Sequence, residues 1–174
     1  LTLGQIAKAY GAGHIIMVGT RPEPLQIAVE SGAADEYIVN ADEDPVQGVL
    51  DRTDGEGAEV VFETVGGESQ LVAQCMEMAR RGGAVSVVGL FTQPQTIDSQ
   101  AHGMAKELVL TWSNSYSSWN GISEYQTALD LLASDRLDAG PIITHRFPQS
   151  QIADAFAAAD DKRTSGAIRV VVNH

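Results

Sequence analysis

The chain has 174 residues, 44% of them hydrophobic, enough for one domain with an ordinary core and too few for two of similar size. Its net charge of −12, from 23 acidic and 11 basic residues, disfavours a nucleic-acid partner, because phosphate-backbone binding needs a clustered basic face. There is no apolar run of the roughly 18 residues a membrane span needs, and residues 1–10 lack the basic start of a signal peptide, so a soluble cytoplasmic protein is expected.

Apolar residues at 1, 3, 6, 7 and 10 predict a helix over residues 1–10, stopped by Gly11. Residues 14–18 (HIIMV) read as a strand, 22–31 as a helix closed by Gly32, and 36–39 as the next strand. A helix over 45–52 and a turn at 54–57 follow. Two apolar segments come next, 58–66 (AEVVFETVG) and 82–90 (GGAVSVVGL), with strand cores at 58–62 and 84–88 and a helix over 68–80 between them. Their unbroken apolar runs predict strands buried on both faces, and Gly66, Gly67 and Gly89 stand at the carboxyl ends, where a nucleotide would touch backbone. Arg80 and Arg81 are placed at the end of the intervening helix. After Leu90 the rhythm loosens: 91–104 reads as a crossing loop, 107–112 as a strand, 122–133 as a helix, 141–147 as extended, 149–159 as a helix and 168–172 as a last strand. Such alternation specifies an α/β fold, a doubly wound parallel sheet with right-handed crossovers, in one domain over residues 1–174.

A dinucleotide fold carries Gly-x-Gly-x-x-Gly between its first strand and first helix, where the pyrophosphate meets bare backbone. That motif is absent, and the helix that should follow it opens the chain. The expectation is therefore a doubly wound fold truncated before its first strand and glycine loop. After the strand at 14–18, the position that ordinarily offers a carboxylate to the ribose is Gly19, followed by Thr20 and Arg21. A small residue leaves room for a 2′-phosphate and a guanidinium supplies a charge-assisted fork, which predicts NADP(H) in preference to NAD(H). The plainer reading is that Arg21-Pro22 only starts the next helix.

Glu63 follows a buried strand, and accepting hydrogen bonds from loop backbone suits it better than proton transfer. Cys75, the sole cysteine, reads as a small buried apolar residue. His14, His102, His145 and His174 share no spacing with Cys, Asp or Glu that suggests a metal site. Trp112 and Trp119 bracket a polar stretch (WSNSYSSW) that suits a nicotinamide pocket and an interface equally.

The runs LTLGQIAKAYGA, IIMVGTRP, GAEVVFETVGG, RRGGAVSVVGL, ITHRFP and GAIRVVV, in this order and at these spacings, resemble the Rossmann-type coenzyme domain of medium-chain dehydrogenases/reductases. They most resemble its zinc-dependent alcohol, sorbitol and threonine dehydrogenase branch, over essentially the whole chain. The resemblance implies that the first strand, the phosphate loop and a catalytic domain bearing the zinc ligands and proton relay lie outside this segment. The segment alone is then expected to be inactive, with no catalytic or metal-binding residue of its own. Carried over by position, Gly19, Thr20 and Arg21 match the turn that holds the adenosine ribose. Thr64, Val65 and Gly66 match the loop beneath the adenine-side ribose and nicotinamide linkage, Val88, Gly89 and Leu90 the strand end that holds the carboxamide, and Arg169 a basic residue some members use on the pyrophosphate. Residues 112–115, with Trp112 and Asn114, match the strand that closes over the nicotinamide and pairs with its copy in a second subunit, implying a homodimer through a sheet edge. The implied activity is hydride transfer between NAD(P) and a small alcohol or carbonyl substrate, with zinc only through the absent domain. A zinc-free quinone or enoyl reductase of the same superfamily and a non-catalytic nucleotide-sensing domain are the alternatives.

Overall fold

The computed structural model describes residues 1–114 and 117–174, which form two compact units: residues 1–40 with 119–174, and residues 41–118. In chain order the elements are α1 (Thr2–Ala9), β1 (Ile16–Gly19), α2 (Pro22–Glu30), β2 (Glu36–Val39), α3 (Pro45–Asp51), β3 (Ala58–Glu63), α4 (Val72–Met78) and β4 (Ala79–Val87). There follow β5 (Val109–Trp112), β6 (Ser118–Trp119), β7 (Ile122–Ser123), α5 (Glu124–Ala133), β8 (Ile143–Pro148), α6 (Ile152–Asp160), α7 (Lys162–Ser165) and β9 (Arg169–Asn173). The fold is α/β of Rossmann type, and β1–β2, β3–β4, β4–β5 and β8–β9 all pair in parallel.

In the first unit, β1 runs beside β2 from Ile16↔Glu36 to Gly19↔Val39. The intervening α2 opens on Pro22, where a helix has no use for the missing N–H. Ala28, Ala33 and Ala34 are buried, with Leu1, Ile15, Met17 and Val29 against them; such small side chains let helix and strand approach closely. Gln5 and Asp138 are tied reciprocally, the Gln5 amide donating to the Asp138 carbonyl at 3.0 Å and accepting its N–H at 2.8 Å. Later in the chain β8 and β9 pair from Ile143↔Arg169 to Pro148↔Asn173, with α6 and α7 between them in sequence.

In the second unit, three strands in the order β3-β4-β5 carry α4 on one face. Val72, Cys75 and Met76 of α4 pack on Val85 and Val87, with Val61 and Leu110 at the margin. The helix stops at Met78 because the Lys106 ammonium donates to the carbonyls of Met76 (3.2 Å), Glu77 (2.6 Å) and Ala79 (2.8 Å), satisfying acceptors that a further turn would need.

Several expectations are corrected here. The helix expected over 68–80 covers Val72–Met78 only, and Arg80 and Arg81 lie in β4 and not at a helix end. The strand starts early because Ala79 already pairs with Ala58, ahead of a register shift between Ala58 and Val60. Burial on both faces fails for β3: Val61 and Glu63 point inward, whereas Val60 and Phe62 are 47% and 41% exposed. An uninterrupted apolar run conceals that alternation. The loop expected over 91–104 contains a π-helical turn, Ser99–Met104, whose first N–H groups are met by the Asp98 carboxylate. The helix expected to begin at Ile122 begins at Glu124, since Asn120 and Gly121 both take left-handed conformations and turn β6 into β7.

Candidate functional site

Unit two gathers three of the predicted segments at the carboxyl edge of one parallel sheet. Residues 64–66 follow β3, 88–90 follow β4 and 112–114 end and follow β5, with Val87 paired to both Glu63 and Trp112. Ser113 N–H donates to the Val87 carbonyl at 2.8 Å, carrying the alignment past the last strand residue. Thr64, Val65, Val88, Leu90, Trp112 and Asn114 are all exposed. A shelf of exposed side chains over a packed backbone is what the ends of parallel strands offer a flat ligand.

Two glycines make the shelf possible. Gly66 has φ +63°, and a Cβ on it would come within 2.6 Å of the Leu90 N and O. A Cβ on Gly89 would overlap Glu63 Oε2 and lie 2.5 Å from the Gly66 N. The loops thus touch backbone to backbone, and Gly67 N–H donates to the Leu90 carbonyl at 2.8 Å.

Beneath them sits Glu63, 2% exposed. Its Oε1 accepts the N–H groups of Val65 (2.7 Å) and Gly66 (2.9 Å), while its main-chain carbonyl accepts those of Val88 (2.8 Å) and Gly89 (3.1 Å). Acceptance from loop backbone, the role read from the sequence, is what the carboxylate does. Across α4, burial together with the Glu63 charge pushes the Cys75 thiol up to about 11, so this cysteine is a core residue and not a nucleophile.

Gly19, Thr20, Arg21 and Arg169 belong to the first unit. Gly19 ends β1 beside Val39, Thr20 is exposed, and Arg21 is the N-cap residue of α2. The Arg21 guanidinium donates to the carbonyls of Lys162 at 2.6 Å and Ala167 at 3.4 Å, holding the β1–α2 turn against α7 and the turn leading into β9. Arg169 is the exposed first residue of β9, two positions beyond that clasp. Local spacing carried no sign of α7 or of its engagement by Arg21. Of residues 112–115, Ser115 lies outside the described residues.

Among the described residues no three His, Cys, Asp or Glu side chains gather into a metal-binding group, so the residues present do not fit a zinc ion. His14 pairs with Glu36 at 3.1 Å and His102 with Glu77 at 3.0 Å. A cavity of about 340 Å³ in the first unit is lined by Gln5, Lys8, Asp135, Arg136 and Asp138, none of them a predicted site residue. Three of those side chains are already engaged: Lys8 with Asp35, Gln5 with the Asp138 main chain, and Arg136 with the Ala9 carbonyl and the Tyr10 ring. No described helix is long and apolar enough to cross a membrane.

A strand-end shelf of glycines on a parallel α/β scaffold defines a nucleotide-binding class of protein. Residues 1–134 match the Zinc-binding dehydrogenase family, and the chain belongs to that family. It is 33% identical over 154 residues to the L-threonine 3-dehydrogenase of Bacillus licheniformis, covering 87% of this chain and 42% of that one. It is 27% identical over 173 residues to the sorbitol dehydrogenase of Halalkalibacterium halodurans, covering 99% of this chain and 48% of that one. Among solved structures, the alcohol dehydrogenase TADH from Thermus sp. ATN1 superposes with a TM-score of 0.80 at 30% identity, over 98% of this chain and 47% of the other. The chain thus spans less than half the length of these relatives.

Proposed function

We propose that residues 1–174 form the nicotinamide-dinucleotide-binding part of a zinc-type dehydrogenase that moves hydride between NAD(P) and a small alcohol or carbonyl compound. The observation that carries this reading is the shelf over Gly66 and Gly89, where the loops after β3 and β4 meet with no space for a side chain between them. When bound, the nicotinamide supplies the hydride acceptor or donor. The chain's own part is to bind and orient: Thr64, Val65 and Gly66 support the linkage, and Val88, Gly89 and Leu90 present backbone to the carboxamide. Exposed Trp112, 65% accessible, and Asn114 flank the ring. Holding a reactant in one orientation is itself a large part of a hydride-transfer rate.

NADP(H) is the preferred cofactor in this proposal. Gly19 and Thr20 leave space at the adenosine ribose, and Arg21 offers the charge. Two of the five N–H groups a guanidinium carries are given to the Lys162 and Ala167 carbonyls, and the proposal assigns the others to a 2′-phosphate. Arg169, exposed at the start of β9, is assigned to the pyrophosphate. The same proposal includes a homodimer through the outer edge of β5, where Val109 and Trp112 are 57% and 65% exposed, and a cytoplasmic setting. Zinc would enter only through a part of the protein that this chain does not contain.

Isothermal titration of the chain with NADPH, NADH, 2′,5′-ADP and 5′-AMP tests the reading. Tighter binding of each 2′-phosphorylated compound than of its partner supports it, and Arg21→Asp should erase the difference. Equal affinities remove the NADP preference, and no binding of any of the four removes the cofactor reading.

A further inference from the structure

We infer that Glu63 is a positioning residue that locks the two glycine loops of the cofactor shelf to each other; its bearing on catalysis rests on the cofactor reading above, its geometry does not. Each half of this residue serves one loop. The side-chain Oε1 takes the Val65 and Gly66 N–H groups at 2.7 and 2.9 Å, and the main-chain oxygen takes those of Val88 and Gly89 at 2.8 and 3.1 Å. Four consecutive-pair amides from two separate strand ends therefore converge on a single residue.

The second carboxylate oxygen completes the lock by contact. Oε2 is buried without a hydrogen-bond partner, and a Cβ on Gly89 would overlap it. It fills the space beneath Gly89 and packs against the second loop directly. A buried carboxylate oxygen without a donor is costly, and a fold tolerates it where the rest of the group is strongly engaged. Proton transfer does not suit Glu63: it is 2% exposed, and its Oε1 is taken by two main-chain N–H groups. It acts through the loops. If Val65 and Gly66 lose their acceptor, the left-handed turn at Gly66, which abuts Leu90, loses its anchor, and the two segments assigned to the nicotinamide end are free to separate.

The test compares Glu63→Gln, which keeps an acceptor oxygen but loses the charge, with Glu63→Ala, which loses both, in the full 174-residue chain. Amide hydrogen exchange is followed at Val65 and Gly66, with Val85 of β4 as the internal reference. Glu63→Ala should speed exchange at Val65 and Gly66 by about tenfold or more relative to Val85, and Glu63→Gln should restore most of the protection. Equal protection in wild type and Glu63→Ala overturns the inference. So does a Glu63→Gln chain as unprotected as the alanine variant, since the oxygen would then not be the anchor. If Glu63→Ala does not fold, the wild type alone decides: Val65 and Gly66 must be clearly protected, and exchange at the open-chain rate refutes the lock.

A second measurement joins the lock to the cofactor. NADPH should bind Glu63→Ala about tenfold more weakly, while 2′,5′-ADP, which carries the adenine-side ribose but nothing to meet the 88–90 loop, should weaken by about threefold or less. Equal losses for both ligands overturn a positioning role at the nicotinamide end. A wild-type chain that binds neither ligand, with exchange behaving as expected, leaves the lock standing and refutes the cofactor reading instead.

Discussion

Gly66 and Gly67 provide an internal control that nature seldom offers. Both have φ +63°, so an alanine at either pays the same conformational penalty, of order 1–2 kcal/mol for a left-handed L-residue. Their surroundings differ completely. A Cβ at Gly67 meets nothing within 4 Å, whereas one at Gly66 lies 2.6 Å from both the N and O of Leu90. Those are main-chain atoms, and no rotamer change can move them aside. Relief requires the 64–66 loop to shift away from 88–90, weakening the Gly66 N–H bond to Glu63 at 2.9 Å and the Gly67 N–H bond to Leu90 at 2.8 Å. Losing one such buried bond costs about 1–3 kcal/mol. Gly67→Ala should thus destabilise by about 1–2 kcal/mol, and Gly66→Ala by about 3–5 kcal/mol, in the range reserved for overpacking and broken buried networks. Urea denaturation followed by far-ultraviolet circular dichroism reads both, with unchanged m-values confirming that the native state is being compared. If the two variants differ by less than about 1 kcal/mol, or Gly67→Ala is the worse, the close approach of the two loops is wrong, and the shelf argument goes with it.

Three further outcomes follow from single contacts. Arg21→Ala removes the donor to the Lys162 and Ala167 carbonyls and should cost about 1–2 kcal/mol in urea denaturation, apart from any effect on cofactor; an unchanged midpoint would mean the clasp contributes nothing. Cys75, buried and raised to about 11, should react with a thiol reagent at pH 8 only as fast as the chain opens, and rapidly in urea; fast labelling of native protein would contradict its place under β4. Asp35 is held below the usual carboxylate range first by its hydrogen bond from Lys8 at 2.6 Å and then by the Ile15 N–H at 2.7 Å. Because the folded value is the lower one, its contribution to stability is present above the unfolded value near pH 4 and disappears as the pH falls through the folded value. Asp35→Asn should therefore narrow the gap between urea midpoints at pH 5 and pH 3, with Asp98 and Asp161, shifted the same way, retaining theirs.

What the sequence revealed and what it hid divide along physical lines. Strand and helix order was legible because each element carries its own periodicity, and β2 was placed to the residue at 36–39. Glu63 was legible because a lone acid after an apolar strand must find donors, and the only ones within chain reach are the next few amides. The early start of β4 was not, because what ends α4 is the ammonium of Lys106, about thirty residues later, and no local signal announces a cap from that distance. Nor was the exposure of Val60 and Phe62, since a run of valines and phenylalanine reads alike whether one face or two are covered. Arg21 is the instructive case. Spacing assigned its guanidinium to a phosphate, and the plainer alternative gave it no partner, yet its hydrogen bonds reach carbonyls 141 and 146 residues away. A cation whose acceptors are main-chain oxygens leaves no complementary residue type to recognise. The consequence reaches function: Arg21 holds the turn that carries Gly19 and Thr20 against the segment that carries Arg169. Replacing it tests the clasp and the phosphate fork together unless stability and 2′-phosphate selectivity are measured on the same variant. A loss of selectivity at unchanged stability assigns the arginine to the phosphate alone, loss of both is the outcome expected of a guanidinium that serves both, and loss of stability with selectivity kept assigns it to the turn alone.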